Sequence, residues 1–136
     1  MSTNISSRLL TEAPRVLVVD GSRVVRQLIT RVLQAELPGV EVVGCGSGAD
    51  AQQVLGEGVF DFITIALRLP DMDGLDLCRS IRSSADNAHI YILILSVRNG
   101  SGDILAGLSA GADDYVIKGA TAEEILARLE VGKRIS

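Results

Sequence analysis

Three residues with chemistry to offer each close a short apolar run. Asp20 ends "VLVVD", Ser96 ends "IYILILS" and Lys118 ends "DYVIK". A fourth run, "FDFITIAL", reaches its end around Ala66, ahead of Arg68 and Pro70. If these runs are parallel strands, their ends collect on one edge, where open α/β sheets present their working side chains. A carboxylate, a hydroxyl and an ammonium on one rim are the parts of a phosphoryl or anion site. The carboxylate holds a metal, the hydroxyl bonds an oxygen and the ammonium pairs with charge. Ala66 would stand on the same rim with neither nucleophile nor ligand. Spacing alone leaves a plainer reading open, in which single polar residues at strand ends are simply solvated.

The elements that would position these residues alternate regularly. "RVLVVD" (15–20) reads as a strand covered on both faces, because apolar residues occupy successive positions. Ser22 suits the N-cap of a helix with Val24, Val25, Leu28, Ile29, Val32, Leu33 and Leu37 on one stripe. Arg23, Arg26, Gln27, Arg31 and Gln34 fall on its other face, and Pro38-Gly39 ends it. Further strands are expected over 40–45, 60–67, 90–96 and 114–118, with 90–96 the most apolar and the candidate central strand. Helices are expected at about 49–55, 74–83 and 103–110, the last interrupted by glycine. Thr121 would cap a final helix, with Glu123 and Glu124 near its positive end and Lys133 and Arg134 near its negative end. Five alternations of strand and helix predict an α/β fold, a doubly wound parallel sheet of five strands flanked by five helices. Residues 1–14 are polar and aperiodic and read as a flexible leader before one domain over 15–134.

With 136 residues, the chain is one domain's worth and can bury a real core. Two Phe, two Tyr and no Trp leave that core to Val, Ile and Leu, and offer no aromatic platform for stacking bases. A net charge of −4 and a pI near 4.9 argue against nucleic acid or a membrane surface as partner. No apolar run approaches the roughly 18 residues of a membrane span. "MSTNISSRLL" lacks the apolar region of a secretory signal, so a cytoplasmic setting is expected. Cys45 and Cys78, without a CxxC and with the single His89, read as small apolar fillers rather than a disulfide or metal ligands.

"VLVVD", "LRLPDMDGLDLC", "LILS" and "GADDYVIK", in this order over roughly 15–134, resemble the receiver domain of two-component response regulators. The resemblance implies a flavodoxin-like sheet in the order 2-1-3-4-5. It also implies an aspartate at the end of the third strand that accepts a phosphoryl group from a histidine kinase. Two acids ending the first strand would bind Mg²⁺ beside it. A Ser or Thr after the fourth strand and a Lys after the fifth would contact the phosphoryl oxygens, and an aromatic on the fifth would report the state to partners. Matched residue by residue, Asp20 fits the first acid, but Gly21 replaces the second. The acceptor falls on Ala66, four residues before Pro70. Ser96 matches the hydroxyl, Lys118 the lysine and Tyr115 the aromatic, while Gly119 stands where the family usually has proline.

What the resemblance then implies is a degenerate pseudo-receiver: a non-catalytic signalling module with Mg²⁺ binding weak or absent and no other cofactor. Because Gly21, Ala66 and Gly119 depart together, a natural loss accounts for them more simply than an engineered acceptor-to-alanine change on a receiver that could be phosphorylated. Regulation would run through a protein partner or an attached output domain, with no nucleic acid or membrane bound by this domain. The expected contact face, which could also form a homodimer, is the fourth helix, fifth strand and fifth helix, about 103–134, with Tyr115 and Arg98. "EEILARLEVGKRIS" resembles the ending of receivers joined to diguanylate cyclases, so the chain is expected to be the N-terminal receiver of a longer protein, with a stand-alone regulator as the alternative.

Other charged residues have weaker claims. Asp61, Asp71 and Asp73 read as solvated turn or cap residues. Arg68, two residues past Ala66, could swing inward toward Asp20 and supply the charge of the metal, although a plain exposed arginine is the simpler reading. Lys118 is expected to close the vestigial pocket against Asp20. "GCGSGA" (44–49) reads as a tight turn rather than a nucleotide cradle, having neither a Walker lysine nor the dinucleotide spacing. His89 reads as a surface residue. The rival of another class, a flavodoxin-like cofactor binder, would need a phosphate-binding turn after the first strand, and "DGSRVV" is a poor one.

Overall fold

Five strands, β1 (Arg15–Val19), β2 (Glu41–Cys45), β3 (Phe62–Ala66), β4 (Tyr91–Ser96) and β5 (Asp114–Ile117), form one sheet in the order β2-β1-β3-β4-β5. Every pairing is parallel. Between them run α1 (Arg23–Glu36), α2 (Gly48–Glu57), α3 (Gly74–Ser83) and α4 (Ser101–Ser109), with a 3₁₀ turn at Ala85–Asn87 ahead of β4. The structure, a computed structural model, describes residues 14–96, 101–117 and 127, with backbone only at 96, 101–103 and 117. Residues 1–13 of the expected leader (1–14), Arg98, Lys118 and the expected helix after Thr121 lie outside the described residues, apart from the helical residue 127. The fold is the expected doubly wound α/β sheet.

Alternation along the strands splits the core into two layers. Leu17, Val19, Ile63, Ile65, Ile92, Ile94 and Tyr115 point to one side and pack with Ala51, Leu55, Leu77, Cys78 and Ile81. Val16, Val18, Phe62, Leu93, Leu95 and Val116 point to the other and pack with Ile29 and Leu33 of α1. Covering on both faces is why the strands read as unbroken apolar runs. β4 is an inner strand, but the middle position belongs to β3. The carbonyl of Pro14, the residue before β1, accepts the Glu41 N–H at 3.1 Å.

α1 corrects one expectation. Only Ile29 and Leu33 of its apolar set are buried, whereas Val24 is 65 % and Leu28 54 % exposed. Seven apolar positions wrap further round the helix than the stripe of about 100° that one sheet face can cover, so Val24 and Leu28 stand on the outer flank. Gly39, with φ 81°, supplies the left-handed residue that turns the chain after α1.

The N-terminal edge of the sheet is held by long-range polar contacts. Asp61 is not a solvated residue but 2 % exposed, and its carboxylate accepts the Arg15 N–H at 2.8 Å. The Arg15 guanidinium donates to the Val59 carbonyl and to Glu41 and lies over the Phe60 ring. Arg82 donates to the carbonyls of Gly111, Ala88 and Ile90 and pairs with Asp113, whose carboxylate also accepts the Ile92 N–H. His89 is exposed, with Nε2 3.2 Å from the Phe60 carbonyl. Cys45 and Cys78 are buried free thiols. Burial pushes the Cys78 thiol up to about 11, so it stays protonated and unreactive at neutral pH.

Candidate functional site

Strand register sets the rim at the C-terminal edge. Val19 lies opposite Ile65, so Asp20 and Ala66 follow at one level. Ala66 lies opposite Leu95, with Ser96 next, and Ser96 lies opposite Ile117, after which comes Lys118. The backbone thus brings Asp20, Ala66 and Ser96 to one edge. The side chain of Ser96 and all of Lys118 lie outside what is described, and with them the expected Asp20–Lys118 contact.

Asp20 is 3 % exposed and organises the turn that follows it. Its Oδ1 accepts the Ser22 N–H at 2.8 Å, and Ser22 in turn N-caps α1 by accepting the Val25 N–H at 3.2 Å. Gly21 is exposed, and a Cβ there would lie 3.2 and 3.3 Å from the Pro70 ring. Ala66 is 2 % exposed, and its carbonyl passes so close to Gly74 that a Cβ at 74 would come within 2.2 Å of the oxygen. Only glycine lets α3 start there, and the Gly74 N–H donates to the Leu67 carbonyl at 2.7 Å.

The turn carboxylates are committed to helix ends. Asp73 N-caps α3 through the Leu75 N–H at 2.8 Å. Asp71 reaches across to α2 and accepts the N–H groups of Gly48 and Ala49, both at 2.9 Å. Those two bonds hold its carboxyl below the usual aspartate value. They also fill the amides that a nucleotide cradle at "GCGSGA" would need, in keeping with a tight turn there.

Arg68 is exposed, and its backbone forms an isolated bridge to Asp73. The guanidinium that touches the rim is that of Arg26, whose Nη1 donates to the Asp20 carbonyl at 2.7 Å. This contact was missed on the polar face of α1, although a signal was present. Helical side chains lean toward the N-terminus, so an arginine in the second turn reaches back to the preceding strand end.

A metal finds little here. Of the positions 20, 21 and 66, one carries a carboxylate, and that one already accepts an amide, whereas Mg²⁺ demands near-octahedral oxygen ligation. Among the described residues no cluster of three His, Cys, Asp or Glu could hold a metal ion. The residues present do not fit Mg²⁺.

On β5, Tyr115 is buried opposite Ile94, and its ring fills the space left by Gly107 on α4. A Cβ at 107 would lie 2.9 Å from the ring's Cδ2. Thr64, on β3 two residues before Ala66, is buried with its hydroxyl unpartnered among the described residues.

A sequence profile of the response regulator receiver domain matches residues 16–130. The response regulator MprA of Mycobacterium sp. (strain KMS) is 37 % identical over 115 residues, 85 % of this chain and 48 % of that protein. The chain thus spans about half the length of the curated relatives it matches. The chemotaxis response regulator CheY4 of Vibrio cholerae superposes with a TM-score of 0.82 at 26 % identity, covering 88 % of this chain and 98 % of that one. The receiver domain of the Francisella response regulator 1452 gives 0.80 at 26 %, covering 89 % and 97 %. With fold, motif order and profile match in agreement, the chain belongs to the response regulator receiver domains, the non-catalytic signalling modules of two-component systems.

Proposed function

We propose that this receiver signals without aspartyl phosphorylation. The observation that carries the reading is Ala66, a buried methyl group at the end of β3, level with Asp20, at the position matching the family's acceptor. A methyl group has no lone pair to attack phosphorus and no oxygen to ligate a metal. Asp71 and Asp73 are occupied as helix caps and make poor substitutes. With Gly21 beside Asp20, Mg²⁺ binds weakly or not at all.

Control then rests on protein contacts that favour one conformation over another. α4 supports this, since Leu105 is 64 % and Leu108 44 % exposed beside the buried Tyr115. The face of α4 and β5, which the sequence expectation extends over 103–134 and to Arg98, is the docking surface for a partner protein, an attached output domain or a second copy. The half-length match to longer regulators favours a receiver that continues into an output domain, and the closing "ARLEVGKRI" favours a diguanylate cyclase as that output. The setting is cytoplasmic; no helix among the described residues is long and apolar enough to cross a membrane.

Incubation with acetyl phosphate and Mg²⁺, followed by intact-mass measurement, tests the reading. No added mass is expected, and a stable gain of one phosphoryl group overturns it. For the surface, Leu105→Glu with Leu108→Glu should abolish self-association or partner capture in sedimentation runs, while Ser96→Ala changes little.

A further inference from the structure

Next to the rim, α1 and the edge strand β2 border a solvent-open groove of about 420 Å³ lined by Arg23, Arg26, Gln27, Thr30, Arg31, Gln34 and Gly44. We propose that this groove binds an oligophosphate group, free or carried by a nucleotide. Three cations on one side of a protein of net charge −4 are an uneven distribution. Among the described residues no carboxylate pairs with Arg23, Arg26 or Arg31, and Glu41 on β2 is taken by Arg15.

One of the three is already positioned. The Arg26 stem lies along β2, where a Cβ at Gly44 would be 3.5 Å from its Cδ and one at Gly46 3.2 Å from its Nη1. The two glycines therefore leave the lane the side chain occupies. The Asp20 carbonyl takes one N–H of the guanidinium, and among the described residues no hydrogen-bond acceptor engages the remaining donors, which are available to a ligand. A planar fork held in place loses little entropy on binding phosphate, and arginine matches phosphate oxygens two at a time.

The lining also limits the ligand. It has cations, amides and a hydroxyl but no aromatic ring, so it recognises the phosphates and leaves a nucleobase unread. The volume falls within the range of small-molecule sites. Arg26 joins the groove to the Asp20 turn, so a ligand that draws on Arg26 also bears on the segment where family members hold their metal. In a receiver that takes no phosphoryl group, a bound oligophosphate supplies an input by another door. That consequence rests on the proposed function; the binding site itself does not.

Titration of the domain in EDTA at low salt, followed by calorimetry and by amide shifts, tests the site. Tripolyphosphate should bind saturably with a Kd below about 1 mM. ATP should bind comparably if nucleotides are a source, and markedly worse if the ligand is the free chain; adenosine should not bind. Shifts should centre on Ser22, Gly44 and Gly46. Arg23→Gln with Arg31→Gln, both on the exposed face of α1, should weaken binding at least about tenfold, the worth of one charge-assisted hydrogen bond, without lowering the Tm. Arg26→Lys should weaken it as well, by losing the fork. The site is refuted by the absence of saturation, by unchanged affinity in the double variant, or by an acidic peptide binding where tripolyphosphate does not. Because no phosphoryl transfer is measured, this outcome is independent of the intact-mass result.

Discussion

At the N-terminal edge of the sheet, side chains from distant parts of the chain are tied to backbone: Asp61 to Arg15, Arg82 to three carbonyls, Asp113 to Ile92. At the C-terminal edge the corresponding corner holds Asp20, Gly21 and Ala66, two of them with no polar side chain at all. Receivers are expected to work at the second edge, so the contrast separates what holds the fold from what performs its chemistry. Side chains at the second edge can change while the sheet persists, because its anchors lie at the opposite end of each strand. The separation is not complete, since Gly74 and Asp71 are structural and sit on the working side.

The contrast is broken most directly by Arg82→Ala. Three carbonyls and Asp113 lose their partner together, and stability should fall by about 3 kcal/mol in urea denaturation. A loss below about 1 kcal/mol would mean that water replaces the guanidinium and that this edge is no anchor. Ala66→Asp probes the other edge. In EDTA at pH 7 it should cost about 2 kcal/mol, because a carboxylate enters a buried position beside Asp20. That cost should shrink toward pH 4, as the new carboxyl binds a proton. A variant as stable as the parent would show that the rim already holds a compensating cation.

Asp71→Asn should have a smaller effect with a distinctive pH profile. The Asp71 carboxyl is held below its ordinary value of 3.8 by two amides. Its contribution is therefore present above that value and is lost as pH falls through the folded one. The gap between parent and variant should be widest at neutral pH and close in acid, as thermal melts at stepped pH would record. The smallest change is Thr64→Val. Removing an unpartnered buried hydroxyl at constant shape should be neutral or add up to about 1 kcal/mol.

Strands and their parallel, doubly wound arrangement are legible because local composition dictates them, whereas the strand order follows from the family resemblance. A run such as "IYILIL" buries on both faces wherever it lies, and its alternation with helices leaves few topologies. The anchors were not legible, because their bonds span 46 residues for Arg15–Asp61 and 31 for Arg82–Asp113. Asp61 looked like a turn acid for the same reason. On α1, periodicity marked Val24 and Leu28 as core, but only packing decides how wide a stripe is covered. At the rim, Asp20 and Ala66 could be placed from strand ends alone. The arginine that meets them could not, because Arg68 is near Ala66 in sequence whereas Arg26 is near Asp20 in space.

The notch at Gly107 has a consequence for how β5 is read by its surroundings. Where a ring is admitted by a missing methyl group, the position of that ring is governed by volume rather than by charge. Gly107→Ala would bring a carbon within 2.9 Å of Tyr115 and 3.2 Å of Ile94, and the ring, as the more movable of the two, would yield. The placement of Tyr115 can thus be set by a single methyl group. Two otherwise identical proteins, one with glycine and one with alanine at 107, would then differ in the placement of that ring, and tyrosine fluorescence would tell them apart.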